Sequence, residues 1–321
     1  MSYYDVFNGD ADGICSLHQL RLAEPRDATL VTGVKRDIAL LRRVPARAGD
    51  AVTVLDISAD VNRAPLMALL ARGATVQYFD HHGSGQVPAH FGLQSFIDTA
   101  PDVCTGIIVD RWLGGAYRLW AVVAAFGDNF VQAAERLAQG QGLDETSIAA
   151  LRDLGECLNY NGYGDTEIDL IMHPAMLYET VHQHTDPFSF IATEPVLPLL
   201  RDARRQDMAL AQEVAPHATL SCGAVFVLPD AAWSRRVRGS WSNQLASSHP
   251  ERAHAVLTPD ARGGYVVSVR APLAAFHGAN RLCRLFPGGG GREAAAGINH
   301  LPRDKLVAFI EALEHAFAAI A

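Results

Sequence analysis

Through the first hundred residues, short apolar runs alternate with amphipathic ones. The apolar runs predict strands over Tyr3–Asn8, Ala28–Gly33, Ala51–Ile57, Ala74–Phe79 and Leu93–Ile97. The amphipathic runs predict helices over Gly13–Ala23, Asp37–Arg43 and Asp60–Arg72. The strands are nearly continuous in Val, Leu, Ile and aromatic residues, as a sheet covered on both faces requires. This alternation predicts an α/β fold opening with a mostly parallel sheet, helices on both faces. Such sheets bind ligands beyond the carboxyl ends of their strands, so polar residues just after a strand are the first functional candidates.

From Cys104 to Ala215 helical spacing takes over, with helices expected over Thr105–Leu113, Leu119–Phe126, Phe130–Ala138, Glu145–Leu158, Pro174–Gln183 and Glu194–Val214. The run Asn159-Tyr160-Asn161-Gly162-Tyr163-Gly164 is rich in turn formers and predicts a loop. Strands return at Thr219–Leu228, Ala253–Leu257 and Tyr265–Arg270, with helices at Ser240–Ser248, His277–Phe286 and Arg303–Ile320. In the last helix Leu306, Phe309, Ile310, Leu313 and Phe317 form one apolar stripe over a core. The expected organisation is a first domain over 1–190, a helical linker over 191–214 and a smaller C-terminal α/β domain over 215–321.

Composition narrows the class. The chain has 321 residues, 49% hydrophobic and 19% charged, which excludes wholesale disorder. Its longest apolar stretch, Leu119 to Gly127, is far short of the roughly 20 residues that span a bilayer. The first residues carry no basic-then-apolar leader, and the five cysteines show no CxxC spacing, so a reduced cytoplasmic setting is expected. Net charge is −8, unevenly spread: residues 215–321 hold 11 Lys+Arg against 7 Asp+Glu, and residues 1–214 hold 16 against 28. An acidic front suggests carboxylates that hold cations, and a basic back suggests arginines that hold an anion.

Four acidic clusters fall at strand or helix ends. They are Asn8-Gly9-Asp10-Ala11-Asp12-Gly13, then Asp56, then Asp80-His81-His82, then Asp128 after the apolar run 119–126. Each acid taken singly reads as well as a helix cap or turn residue. Together they suggest a metal, because crowded carboxylates repel one another without a cation, and mixed carboxylate and imidazole ligands favour manganese-like ions.

In that order the clusters resemble the four motifs of the DHH phosphoesterase superfamily, which includes RecJ-type exonucleases, nanoRNases and cyclic-dinucleotide phosphodiesterases. Ser268-Val269-Arg270 and the stretch Gly288 to Gly297 resemble the DHH-associated C-terminal domain. The resemblance implies two divalent ions, manganese first and magnesium as the alternative. Asp10 and Asp56 would hold one ion, with Asn8 where relatives carry Asp or His. Asp12, Asp56, His81 and Asp128 would hold the other. Asp80 would orient the histidine ligand, and His82 would face the scissile phosphate. Arg270, Gly289, Gly290, Gly291 and Arg292 would bind the substrate, Arg292 standing where relatives carry His, with a helix start after the glycines adding its dipole. The implied activity is metal-dependent hydrolysis of phosphoester bonds in the cleft between two domains. Short single-stranded oligonucleotides or nucleoside bisphosphates are the expected substrates, and a homodimer is compatible. Polyphosphate and cyclic dinucleotides are alternatives, as is a nucleotide-binding regulatory protein with a weakened metal site. His182-Gln183-His184 reads as a helix end rather than a ligand set, since helical residues two apart diverge.

Overall fold

The computed structural model of the chain describes residues 1–83 and 85–318. They divide into two compact units, Met1–Asp202 and Ala203–Ala321.

The first unit is built on β1 (Tyr3–Phe7), β2 (Thr29–Val31), β3 (Ala51–Leu55), β4 (Thr75–Asp80) and β5 (Leu93–Ile97). Among the described residues they form a five-stranded sheet in the order β2-β1-β3-β4-β5, with every pair parallel. Register sorts its apolar residues into rows. Val6, Val54 and Tyr78 lie side by side and face one core with Leu66, Leu69 and Leu70 of α2 (Arg63–Ala71). Phe7, Leu55 and Phe79 lie one position on and face the opposite core. That second core is shared with α1 (Ala11–Ala23), α3 (Thr105–Trp112), α4 (Arg118–Gly127) and the helices that follow. Two flanking cores explain why the strands carry no polar alternation. The order reverses between β1 and β3, so the carboxyl ends of those strands flank the position where doubly wound sheets bind ligands.

The helical stretch continues with α5 (Val131–Gln139), α6 (Glu145–Gly162), α7 (Pro174–Val181), α8 (Pro187–Thr193) and α9 (Val196–Gln212). Four sequence expectations change here. The turn-former run does not leave the helix at Leu158: α6 runs on to Gly162. Asn161 is pinned by two bonds, accepting from the Met172 N–H at 2.9 Å and donating to the Met172 carbonyl at 2.8 Å. The helix expected over Asp37–Arg43 is a single 3-10 turn, Leu40–Arg43. Asp60–Arg72 shortens to α2. The long helix expected from Glu194 begins at Val196, behind a separate short α8 whose N-cap is Asp186.

The second unit contains β6 (Ala218–Thr219), β7 (Gly223–Val227), α10 (Ala232–Ser248), β8 (Ala253–Pro259), β9 (Gly264–Arg270), α11 (Ala279–Cys283), β10 (Gly289–Gly291), β11 (Ala295–Pro302) and α12 (Leu306–Phe317). Its described strands form a mixed sheet, β10-β11-β9-β8-β7-β6, in which β7 and β8 are parallel and the other pairs antiparallel. Phe309, Leu313 and Phe317 of α12 are fully buried in this unit's core, as their spacing predicts. The predicted last helix is entered through a 3-10 turn, Arg303–Lys305, and its last two residues, 319 and 320, lie outside the described residues. The glycine run corrects another expectation. Gly289–Gly291 is a strand that pairs with β11, and no helix starts after it.

All five cysteines are buried and free. Among the described residues no helix is long and apolar enough to cross a membrane.

Candidate metal centre

The motif between β1 and α1 is a tight turn that needs both of its glycines. A Cβ at Gly9 would lie 2.0 Å from the Gly33 carbonyl oxygen, and one at Gly13 would lie 2.1 Å from that of Asn8. The acids between them divide the work. Asp10 is the N-cap of α1, its Oδ1 accepting from the Gly13 N–H at 3.0 Å. Asp12, fully buried, caps a different helix: its two oxygens accept from the Thr105 N–H at 2.8 Å and the Gly106 N–H at 2.7 Å, at the start of α3. Asp56 follows β3 with φ 59°, in the left-handed region that side chains other than Asn, Asp and Gly avoid. Thr105 Oγ1 donates to its Oδ1 at 3.1 Å. Asp128 closes the C-terminus of α4, its backbone N–H donating to Ala124 O.

His81 gathers these acids. Its Nε2 lies 3.4 Å from Asp56 Oδ1, 3.5 Å from Asp128 Oδ2 and 3.9 Å from Asp12 Oδ2. Two groups among the described residues bring ligand atoms within 4.8 Å of one another: Asp12, His81 and Asp128, and Asp56, His81 and His82. Asn8 and Asp10 belong to neither. Asp80 Oδ1 accepts from His82 Nδ1 at 2.7 Å, so in this structure it orients His82 rather than His81, the histidine expected as a ligand.

Burial pushes the Asp56 carboxyl well above the usual range, and the Asp12, Asp10 and Asp128 charges push it further. Burial raises Asp12 in the same way, with Asp128 and Asp10 adding to it against the pull of His81. Burial also acts against the His82 imidazolium, but the Asp80 hydrogen bond and charge outweigh it, so its pKa rises. Three acids and an imidazole that converge from separate elements, two of the acids too desolvated to ionise readily, fit a divalent cation bound by oxygen and nitrogen. Asn8 Oδ1 and Asp80 Oδ2 are buried without a hydrogen-bond partner.

Sequence reasoning missed Lys35. It lies in the loop after β2, and its Nζ is 2.5 Å from Asp10 Oδ2, 2.8 Å from Asp128 Oδ1 and 3.1 Å from Asn159 Oδ1. Burial disfavours the ammonium, but Asp10 and Asp128 more than compensate and raise its pKa well above the ordinary lysine range. The same pairing overrides the burial of Asp10 and lowers the pKa of its carboxyl. Thr105 and Asn159 were missed as well. The rule that singled out residues after β1, β3 and β4 applies equally to Lys35, after β2.

In the second unit, Arg270 ends β9 opposite Ala295 of β11. Its guanidinium donates to Asn243 Oδ1 at 2.7 Å and Ser268 Oγ at 3.0 Å. Arg292 is exposed in the turn between β10 and β11, its N–H bonded to Ala295 O. The register places both arginines next to the same residue. His182 and His184 form no ligand set: His182 pairs with His18, and His184 with Ser189 and Glu194.

No family model matches the chain, and no curated protein matches it. Solved structures do. An exonuclease RecJ bound to manganese shares 19% identity at a TM-score of 0.61, covering 98% of this chain and 90% of its own. PggH, a pGpG-specific phosphodiesterase from Vibrio cholerae, shares 15% at 0.56, covering 99% and 100%. An exopolyphosphatase-related protein from Bacteroides fragilis shares 15% at 0.55, covering 100% and 93%. Over nearly its whole length the chain therefore has the fold of these proteins, the fold that its resemblance to the DHH superfamily implies.

Proposed function

We propose that the protein is a metal-dependent phosphoesterase acting on short oligonucleotides or nucleoside bisphosphates, with manganese as its ion. The observation that carries the reading is the convergence of Asp12, Asp56, Asp128 and His81 Nε2 beyond the carboxyl ends of the sheet. A divalent ion bound there would supply Lewis acidity and a water activated for attack on phosphorus. The remaining work falls to the chain. Asp12, locked by the two N–H groups of α3, holds its carboxylate in one orientation. Thr105 does the same for Asp56. His82, its Nδ1–H committed to Asp80 and its side chain partly exposed, keeps Nε2 for the substrate. The raised pKa favours the imidazolium, so Nε2–H can donate to a phosphoryl oxygen or to the departing alkoxide. Within the second unit, Arg270 and Arg292 are the residues we assign to binding a phosphate of the substrate, with the Gly289–Gly291 strand beside them.

The manganese-bound RecJ and the pGpG phosphodiesterase with this fold support both the ion and the nucleotide substrate. The Bacteroides exopolyphosphatase-related protein keeps polyphosphate in the comparison. One observation favours a second reading, a nucleotide-binding protein with a weakened metal site: a lysine ammonium lies against Asp10 and Asp128. A panel of short RNA, short DNA, pGpG, adenosine bisphosphate, a cyclic dinucleotide and polyphosphate, with manganese and with chelator, tests both. Manganese-dependent release of nucleotide is the expected result. Binding without turnover on every member would replace the first reading with the second.

A further inference from the structure

We propose that the Lys35 ammonium is a built-in cation occupying one of the two cation positions of this site, so that the chain binds one divalent ion where the resemblance implies two. The inference rests on the metal-dependent reading above and specifies how its site is charged.

Lysine has three N–H donors and no acceptor. Nζ of Lys35 has an oxygen for each: Asp10 Oδ2 at 2.5 Å, Asp128 Oδ1 at 2.8 Å and Asn159 Oδ1 at 3.1 Å. The acceptors come from the N-terminus of α1, the C-terminus of α4 and the last turns of α6, so the ammonium ties together three elements that carry or flank the site.

The lysine is held at both ends. Its backbone N–H donates to Gly162 O at 2.8 Å, and its carbonyl accepts from Asn8 Nδ2 at 3.2 Å. Asn159 Nδ2 donates to the Tyr163 hydroxyl at 2.9 Å, which leaves Oδ1 of the same amide for the ammonium. The Tyr163 ring lies 5.7 Å from Nζ, within cation–π range. An amide, an aromatic ring and two carboxylates thus surround one charge.

The arrangement reinterprets Asn8. A carboxylate at position 8 could not donate to the Lys35 carbonyl, and an amide can. The residue that stands where relatives carry Asp or His is the one that anchors the lysine loop. Asp10, the other ligand expected for the first ion, has Oδ1 on the Gly13 N–H and Oδ2 on Lys35. A divalent ion sits about 2.1 Å from a carboxylate oxygen, so one placed on Oδ2 beside the ammonium would set two cations close together and repelling each other. Asp12, Asp56 and Asp128 each keep an oxygen within 4 Å of His81 Nε2 without Asp10.

The test is a count of bound manganese, read without turnover. Full-length protein is dialysed against saturating manganese chloride, and bound metal per chain is measured by mass spectrometry. Electron paramagnetic resonance distinguishes isolated from spin-coupled ions. The wild type should hold one isolated ion, and Lys35→Gln should hold two with a coupled signal. Lys35→Arg, which keeps the charge, should hold one. Two ions in the wild type, or one in Lys35→Gln, would overturn the inference and leave the metal-dependent reading standing. Two ions in Asn8→Asp with the lysine present would overturn it as well, because ligand strength would then set the count. No bound ion in the wild type would sink the metal-dependent reading, and this inference with it. Should Lys35→Gln not fold, the wild-type, Lys35→Arg and Asn8→Asp counts decide the matter.

Discussion

Replacing Asp56 with Asn should make the metal-free protein more stable and remove its response to manganese. Asp56 and Asp12 both lie within 4 Å of His81 Nε2, so their carboxylates are at most about 7 Å apart. Two unit charges at that distance repel by about 2 kcal/mol at the effective dielectric of such sites. Asp10 and Asp128 add to the repulsion on Asp56, and partial protonation limits it. Asn keeps the size of Asp, still accepts from Thr105 Oγ1 and tolerates the φ of 59° at this position, so charge is the main thing lost. The expected gain is about 1–3 kcal/mol, or roughly 2–8 °C in melting temperature at this size. Its pH dependence has a definite sign. The folded-state pKa of Asp56 is raised, so the native state holds more protons than the unfolded chain above the ordinary carboxyl value of 3.8. The wild type should therefore lose stability as pH rises through the window between the unfolded and folded values, and the variant should lose less. Manganese at a hundred times its dissociation constant should stabilise the wild type by about 2.7 kcal/mol and the variant by far less. The assay is thermal unfolding in chelator and in manganese at several pH values. A variant that melts at or below the wild type in chelator, or that keeps the full manganese shift, would refute the reasoning.

Other consequences can be checked with the same preparations. His18 is fully buried, its Nδ1 3.1 Å from His182 Nδ1 and its Nε2 2.9 Å from His184 O, and burial, with the neighbouring His182 adding, lowers its pKa from 6.5 to about 3. Below pH 6.5 the unfolded chain takes the proton first, so about 2 kcal/mol should be lost between pH 7 and 5; urea unfolding of wild type and His18→Gln at both pH values should show it, and equal losses in the two proteins would exclude His18 as the source. Arg292→Ala should raise KM for a dinucleotide or bisphosphate about tenfold, the scale of one charged hydrogen bond, and leave bis-p-nitrophenyl phosphate, which has no second phosphate, nearly unaffected. Equal loss on both substrates would place Arg292 in the chemical step or the fold.

The sheet was legible because its chemistry is local. The central strands β1, β3 and β4 are largely buried on both faces, so each appears as an apolar run, and the acids at their ends stand out against it. The misread segments are those where tertiary contacts override local preference. Asn161 and Gly162 are turn formers, yet the two bonds to Met172 hold Asn161 in the helix. At Gly162 a Cβ would come within 3.0 Å of Asp10, so the glycine there serves a close approach to the site. The glycines at 289–291 read as an anion loop but form an edge strand, in which a Cβ at Gly289 would lie 1.9 Å from Cys283 O and one at Gly291 2.6 Å from Ala296 Cα, while one at Gly290 would meet nothing. Lys35 was passed over for a different reason. In Thr32-Gly33-Val34-Lys35-Arg36 it reads as a solvated loop cation. Only the strand order, with β2 beside β1, carries the loop after β2 over to Asp10.

A site with repelling acids and a strained Asp56 backbone needs a scaffold that fixes its strand ends independently of it. The cores on both faces of the sheet supply most of that rigidity, with each fully buried Leu, Phe or Val contributing about 2 kcal/mol. A second device is specific to the strands that matter. Arg21 of α1 is buried, and its Nε and Nη2 donate to the two oxygens of Asp5 in β1 at 2.7 and 2.5 Å, with Nη2 also bonded to Thr53 Oγ1 of β3 at 2.8 Å. Such a pair adds little net stability, since desolvation offsets its attraction. Its geometry is demanding, however, because the planar fork accepts one register of helix and strands and penalises others. It joins α1, β1 and β3, the elements that lead to Asp10, Asp12 and Asp56. The ion pair within the sheet and the charge cluster beyond its carboxyl edge thus depend on the same alignment of β1 with β3, the first by enforcing it and the second by converting it into closely spaced carboxylates.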